Sequence, residues 1–299
     1  MSDDVPEVLG LGMVVVDHQV VLPSFPSIDT KNQIESDRYQ VGGPVPTALA
    51  MVCKLGNKAK FIGKWSDDAF GRIITADLQD YGIDFDSAMA RSQGRTGFAH
   101  VWIDQSTGSR TVAYLRGDAI EVDDVTDIDV DGCKVLHLDG WSGEAAWMLA
   151  SKAKASGATI VMDAGSPKPW TATLLSLVDV VNCPKSFATE FYGITGEHDA
   201  AARLINEGVT MAVFTQGSRG ATAYRSDGKF HIPAFPVSAI DTNGAGDVFC
   251  GGLIYGLLQS YSPEETVRFA SACAALKCQA MGNRESLPSL DAASALMNA

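Results

Sequence analysis

From residue 130 onward the chain alternates short apolar runs with amphipathic ones at a nearly constant spacing. KVLHLDG, ATIVMDAG, VDVVNC and MAVFTQG read as strands. EAAWMLASKAKASG, TATLLSL, KSFATEFYG and DAAARLINEG read as the helices around them. This alternation demands a mainly parallel sheet with helices on both faces, because each helix must carry the chain back to the edge where the next strand starts. The N-terminal part begins the same way. VLGLGMVVVDHQVVL (8–22) opens as a strand, TALAMVCKLG is a helix closed by Gly56, AKFIGKW (59–65) is a strand, and DAFGRIITADLQDYG (68–82) is a helix.

Two segments break the pattern. GFAHVWID (97–104) and RTVAYLR (110–116), joined by QSTGS, form a hairpin signal, as does ATAYRSDGKFHIPAF around Asp227-Gly228. The first belongs to a small β excursion built from residues near 12–40 and 95–118, standing over one end of the sheet. The expectation is one α/β domain over residues 1–299 with these segments inserted.

Charge limits the partners. Against 36 Asp and Glu there are 23 Lys and Arg, a net −13, so the molecule as a whole repels nucleic acid and anionic membranes. An anionic ligand therefore needs a locally positive site made of backbone amides, a metal or a few placed cations. MSDDVPEVLG lacks the basic and apolar regions of a secretory signal, and no apolar run approaches the ~20 residues that span a bilayer. Cys53, Cys133, Cys183, Cys250, Cys273 and Cys278 are scattered without a C-x-x-C pair, as expected of buried reduced thiols in a cytoplasmic protein.

In open parallel sheets ligands bind beyond the carboxyl ends of the strands, and several candidate loops fall there. Asp241-Thr242-Asn243-Gly244-Ala245-Gly246-Asp247 opens a long apolar helix. Gly244 and Gly246 permit close backbone approach, and the helix start offers unpaired N–H groups for a phosphoryl group. Asp247 beside them is placed to accept a hydroxyl proton, although a bare G-x-G-D also describes a turn with the aspartate as helix cap. Thr215-Gln216-Gly217-Ser218-Arg219-Gly220 follows a strand and suits nucleotide phosphates or, alone, a plain glycine turn. Gly42-Gly43 precedes a helix, and Asp17 ends the first strand, where a carboxylate can hold sugar hydroxyls or simply face solvent. Gly10-x-Gly12 lacks the third glycine of a dinucleotide fingerprint, where Val15 stands. His18, His100, His137, His198 and His231 show no metal-binding spacing, and Trp141, Trp147 and Trp170 read as packing residues.

Taken in order, Gly42-Gly43, then Gly63-Lys64-Trp65-Ser66-Asp67-Asp68-Ala69-Phe70-Gly71, then T-x-G-x-x-G, then D-T-x-G-A-G-D resemble the ribokinase-like (PfkB) sugar kinase family from about residue 8 to Pro288. The resemblance implies an ATP-dependent phosphotransferase acting on an alcohol of a small sugar or sugar acid. It implies Asp247 as general base, with the amides of Gly244, Ala245 and Gly246 as the anion hole. Thr215, Gly217, Gly220, Asp241, Gly244 and Gly246 would lie along the nucleotide, and Asp17, Gly42, Gly43 and Thr47 along the sugar. Mg²⁺ would arrive with ATP. A monovalent cation, K⁺, is admitted near Asp241, Asn243, Gly282 and Ser286, and by the same resemblance the β excursion would be a lid that covers the sugar and pairs two copies into a homodimer.

Two departures bear on substrate. Where many relatives carry a sugar-contacting asparagine, this chain has Thr47 in GGPVPT. The N-x-x-E motif linked to Mg²⁺ is not intact at Asn182-Cys183-Pro184-Lys185, with Glu190 farther on. GGPVPT and ALKCQAMGNRESLP are more similar to ketohexose-type kinases, including sulfofructose kinase, than to ribokinase. YLRGDA resembles a stretch of 2-keto-3-deoxygluconate kinases in which an arginine meets the acid, and here Arg110 and Arg116 are the candidates. The rivals are a nucleoside kinase of the same fold and a non-catalytic nucleotide- or sugar-sensing protein.

Overall fold

A computed structural model describes residues 6–87, 90–91, 94–107 and 109–299. Residues 1–5, which begin the acidic N-terminus, and Gly108 of the hairpin connection lie outside the described residues.

Among the described residues fifteen strands and ten helices follow one another. The first half holds β1 (Val8–Leu11), β2 (Val15–Leu22), β3 (Ser36–Gly42), α1 (Pro44–Lys54), β4 (Ala59–Ile62), β5 (Trp65–Ser66), α2 (Ala69–Asp80), β6 (Asp84–Phe85), β7 (Ala90–Arg91), β8 (Gly97–Asp104), β9 (Arg110–Leu115) and α3 (Val122–Val125). The second half holds β10 (Val135–Leu138), α4 (Gly143–Ala155), β11 (Thr159–Asp163), α5 (Thr171–Leu175), β12 (Val180–Pro184), α6 (Phe187–Tyr192), α7 (Glu197–Asn206), β13 (Met211–Thr215), β14 (Ala221–Arg225), β15 (Gly228–Ile232), α8 (Ala245–Leu258), α9 (Pro263–Lys277) and α10 (Leu290–Met297).

The large sheet has the order β15-β14-β13-β12-β11-β10-β1-β4-β6, and its strands from β13 through β6 run parallel. The β14–β15 hairpin closes one edge antiparallel. Alternate residues feed two cores, as a sheet covered on both faces requires. Val8, Phe61, Val135, Val161 and Val213 pack toward α1, α8 and α9, whereas Leu9, Ile62, Leu136, Ile160 and Phe214 pack toward α4 through α7.

The small sheet, β3-β2-β8-β9, is mostly antiparallel, with one parallel pairing between β2 and β8. Its strands come from the two segments expected for the lid. The stretch at 8–22 is not one strand ending at Asp17, however, because Asp17 lies inside a second strand. β1 stops at Leu11, residues 12–14 turn, and β2 joins the other sheet. The run at 59–65 likewise ends at Ile62, and Trp65–Ser66 pairs with β7. The helix starting at Ala69 is capped by Asp68, whose Oδ1 accepts from the Gly71 amide at 2.8 Å and whose Oδ2 accepts from the Thr96 amide at 3.2 Å. Thr96 immediately precedes β8, so the cap of α2 also pins one root of the small sheet.

Helix α8 sits between α1 and α9, and glycines make that possible. A Cβ on Gly251 would lie 2.7 Å from the Ala48 carbonyl oxygen, and one on Gly252 2.7 Å from the Ala270 Cα. Backbone cannot yield as a side-chain tip does, so Gly252→Ala should push α8 off α9. The expected cost is about 1–3 kcal/mol in denaturant unfolding, the usual range for overpacking.

Candidate active site

The carboxyl ends of the parallel strands gather acidic side chains beneath the small sheet. Asp139 follows β10, Asp163 ends β11, Asp247 lies in the first turn of α8, and Asp17 descends from β2. Their fields overlap. Burial, then the negative charge of Asp247, pushes Asp17 up to about 6. Burial pushes Asp139 up to about 6 against the amides of Trp141 and Met13, which donate to it at 2.9 and 2.8 Å. Asp163 and Asp247 form a tightly coupled pair, each raised well above the carboxylate range, first by burial and then by a neighbouring negative charge. A site that holds this much negative charge in little water is poised to take up a proton.

Helix α8 supplies the complementary positive end. Its cap is Gly244, held at φ 78°, a left-handed conformation that suits glycine. Asp247 is therefore the third residue of the helix and not its cap, and its carboxylate makes no capping hydrogen bond. The amides of the first turn, including Gly246 and Asp247, have no carbonyl four residues earlier in the helix to bind, so they are available to an anion. Gly244, Ala245, Gly246 and Asp247 are thus brought together as an amide cradle, in which the Ala245 amide donates to the Thr242 carbonyl at 3.3 Å, with a half-buried carboxylate beside it.

Opposite them, Gly42 and Gly43 lie where β3 enters α1. A Cβ on Gly42 would fall 2.6 Å from Asp17 Oδ2, and Gly43, at φ 114°, packs under the Met13 carbonyl oxygen. Thr47 is fully buried, and its hydroxyl accepts from Arg284 Nη1 at 2.9 Å and from Asn283 Nδ2 at 3.5 Å. It meets the cleft through Arg284, whose positive charge acts on both Asp17 and Asp247. Arg284 is itself oriented by Asp77, with Nε 3.0 and 3.1 Å from the two carboxylate oxygens.

The two candidate arginines separate. Arg110 Nη1 donates to Asn243 Oδ1 at 2.9 Å, a bridge from β9 to the loop before α8, and its charge is felt at Asp247 and Asp17. Arg116 instead lies 4.1 Å over the Trp141 ring, beside a cavity of about 140 Å³ lined in part by Gly12, Lys64, Trp141 and Ser142. Lys168 also approaches that ring, at 5.2 Å, so Trp141 holds two cations rather than only packing.

Thr215 ends β13, and Gly217–Arg219 form a single 3-10 turn before β14. Gly220 is needed by the fold itself, because a Cβ there would lie 2.0 Å from the Ile232 carbonyl oxygen. Asp241 accepts from the Asn243 amide (Oδ1, 2.8 Å) and the Gly282 amide (Oδ2, 2.8 Å), and the Ser286 hydroxyl donates to the Gly282 carbonyl. Asp241, Asn243, Gly282 and Ser286 are therefore neighbours. Asn182 is buried on β12, its Nδ2 facing Cys250 Sγ at 3.3 Å and its Oδ1 without a protein partner. Among the described residues no group of three His, Cys, Asp or Glu side chains is arranged to hold a metal ion.

Sequence reasoning did not single out Asp139, Asp163, Lys168, Lys277 or Arg284. The first two had a usable signal, since LHLDG and VMDAG each place an aspartate at the carboxyl end of a parallel strand.

The profile of the pfkB family carbohydrate kinases matches residues 7–290. A 5-dehydro-2-deoxygluconokinase of Clostridium perfringens is 26% identical over 311 residues, covering 96% of this chain and 91% of its own. Mouse ketohexokinase is 26% identical over 291 residues, covering 92% and 97%. The solved Arabidopsis thaliana ribokinase complexed with ribose and ATP superposes with a TM-score of 0.86 at 23% identity, covering 98% of each chain. That likeness shows the ribokinase-like fold: a large, mainly parallel sheet with helices and a small covering sheet.

The raised carboxyls make stability depend on pH. The native state keeps protons that the unfolded chain, with carboxyls near ~4, has released. Their contribution is full below ~4 and is lost as the pH rises through the folded values, about 6 for Asp17 and Asp139. The ligand-free protein should therefore melt higher at pH ~5.5 than at pH ~8. Asp247→Asn should raise Tm at pH ~8, by ~2 °C or more, and flatten that slope in a scanning-calorimetry series.

Proposed function

Because the chain belongs to the pfkB family of carbohydrate kinases, we propose that it transfers the γ-phosphoryl group of ATP to a hydroxyl of a six-carbon keto sugar or sugar acid. The observation that carries this reading is the amide cradle at the start of α8 with Asp247 beside it, facing Asp17 and Gly42. Asp17 holds sugar hydroxyls with Gly42 and Gly43 allowing close approach, and Thr47 contributes through the Arg284 it orients. Asp247 takes the proton of the attacking hydroxyl, which its raised proton affinity favours. The oxygen then forms its bond to the γ-phosphorus as the bond to the ADP oxygen breaks. The amides of Gly244, Ala245 and Gly246 receive the charge on the transferring group without a lysine. Thr215, Gly217, Gly220 and Asp241 line the nucleotide side.

ATP brings Mg²⁺, which neutralises phosphate charge when bound. Asp163 and Asn182 fit a hydrated magnesium ion, since Asn182 Oδ1 is buried without a protein partner and Asp163 is a buried carboxylate on the adjacent strand. Lys185, in place of the usual glutamate, does not contribute a ligand.

An acidic arm on the sugar is supported by the cations flanking the cleft. Arg116 and Lys168 around Trp141 suit a carboxylate or sulfonate on the sugar. The small sheet acts as the lid, with Asp17 and Arg110 on the face that meets the cleft and His18, Tyr39, His100 and Trp102 on the other. Tyr39 and Trp102 are exposed there, which favours a homodimer formed through that outer face.

A coupled ADP-release screen over ketoses, keto-deoxy acids, sulfo-sugars, aldoses and nucleosides tests the reading. Turnover is expected with an anionic six-carbon sugar. Preference for nucleosides moves the assignment to a nucleoside kinase, and no turnover with any substrate moves it to a sensor. Asp247→Asn should lower kcat by roughly 10²–10⁴-fold with nucleotide affinity retained in titration calorimetry. Arg116→Ala should raise KM for the acidic substrate by ~10-fold or more, while a neutral ketose is affected little.

A further inference from the structure

Lys277 is the last residue of α9 and is fully buried. A lysine at a helix C-terminus ordinarily reaches solvent with its stem along the surface. Here the ammonium turns inward and donates to the Asp241 carbonyl oxygen at 2.8 Å, with Asp241 Oδ2 3.5 Å away. Burying an ammonium is tolerated only where an opposite charge and acceptors meet it, so this contact is a built one.

The same aspartate organises everything around it. Its Oδ1 accepts from the Asn243 amide and its Oδ2 from the Gly282 amide, each at 2.8 Å. The Ile240 and Asp241 amides both donate to the Cys278 carbonyl, at 2.7 and 3.2 Å. Arg38 Nη2 stands 3.7 Å from Oδ2. The loop that leads into Gly244 is thus stitched to the loop after α9 around one ammonium.

The resemblance to ribokinase-like kinases admits K⁺ near Asp241, Asn243, Gly282 and Ser286. The residues present do not fit it. The Asp241 carbonyl is engaged by Lys277, its carboxylate already faces two cations, and the Gly282 carbonyl accepts the Ser286 hydroxyl. A third positive charge would have to enter beside an ammonium in a poorly solvated space.

We propose that the Lys277 ammonium serves this chain as a built-in monovalent cation, ordering the loop that presents the Gly244–Gly246 amides, and that the enzyme works independently of K⁺. Lys277 is then a positioning residue acting through Asp241. The proposal rests on the kinase reading for its activity arm, and thermal unfolding supplies an arm that does not need turnover.

Wild-type phosphotransfer and Tm are measured in lithium, potassium and ammonium chloride at one ionic strength. Both are expected to be the same in the three salts, and activation or stabilisation specific to K⁺ overturns the proposal. Lys277→Ala should lose roughly 10-fold or more in kcat/KM in lithium, the loss of a charge-assisted hydrogen bond, and regain it with its Tm in potassium or ammonium as the ion enters the vacated space. A folded Lys277→Ala protein whose rate and Tm ignore the salt also overturns it. If that variant does not fold, the wild-type salt series still decides. Absence of turnover in every salt counts against the kinase reading, and the Tm series then decides on the cation alone.

Discussion

The structure is organised by the energetic cost of holding carboxylates together away from water. Asp17, Asp139, Asp163 and Asp247 converge at one end of a parallel sheet, in a chain whose overall charge is already −13. Burial and mutual repulsion raise their proton affinity, and the fold answers with fixed donors. These are the amides at the start of α8, the amides of Met13 and Trp141 on Asp139, and the charges of Arg110, Arg284, Lys168 and Lys277. The cations are held mostly by partners of their own, Asp77 for Arg284 and Asn243 for Arg110. The result is a pocket whose chemistry is set by position and not by net charge, so fixed positive groups stand inside an acidic protein.

Much of this was legible in the amino-acid sequence, for reasons that can be named. The alternation beyond residue 130 shows because parallel strands buried on both faces are apolar throughout, while their helices carry a polar stripe. Glycines at 244 and 246 and the aspartate after them form a local pattern, so the tight entry into α8 could be read directly, although on that pattern alone a plain turn and an anion cradle were equally open. The same continuous burial hid the division at residues 12–14. When every residue of a run is apolar, periodicity cannot mark where a strand leaves one sheet for another.

Other parts of the site have no local signature. Asp139 and Asp163 are single aspartates, informative only once their strands are known to be parallel and adjacent. Lys277 reads as an ordinary basic residue ending a helix, and only the tertiary approach of Asp241 turns it inward. Thr47 was legible as a departure from the family pattern, but its partners are more than two hundred residues away in sequence. The two arginines could not be distinguished by spacing, because Arg110 begins β9 and meets Asn243 whereas Arg116 follows the strand and lies over Trp141.

The covering sheet is woven from two stretches of chain, β2 with β3 and β8 with β9, separated by the α1–β7 stretch. Its central pairing joins β2 to β8, and its root at Thr96 is tied to the cap of α2. Such a sheet is not a cassette. It cannot be excised, transplanted or lengthened as one contiguous insertion without cutting the main sheet between β1 and β4. A change to its surface that keeps the weave is therefore made side chain by side chain, and recombination that carried the whole small sheet while leaving the α1–β7 stretch in place would have to exchange two separate segments.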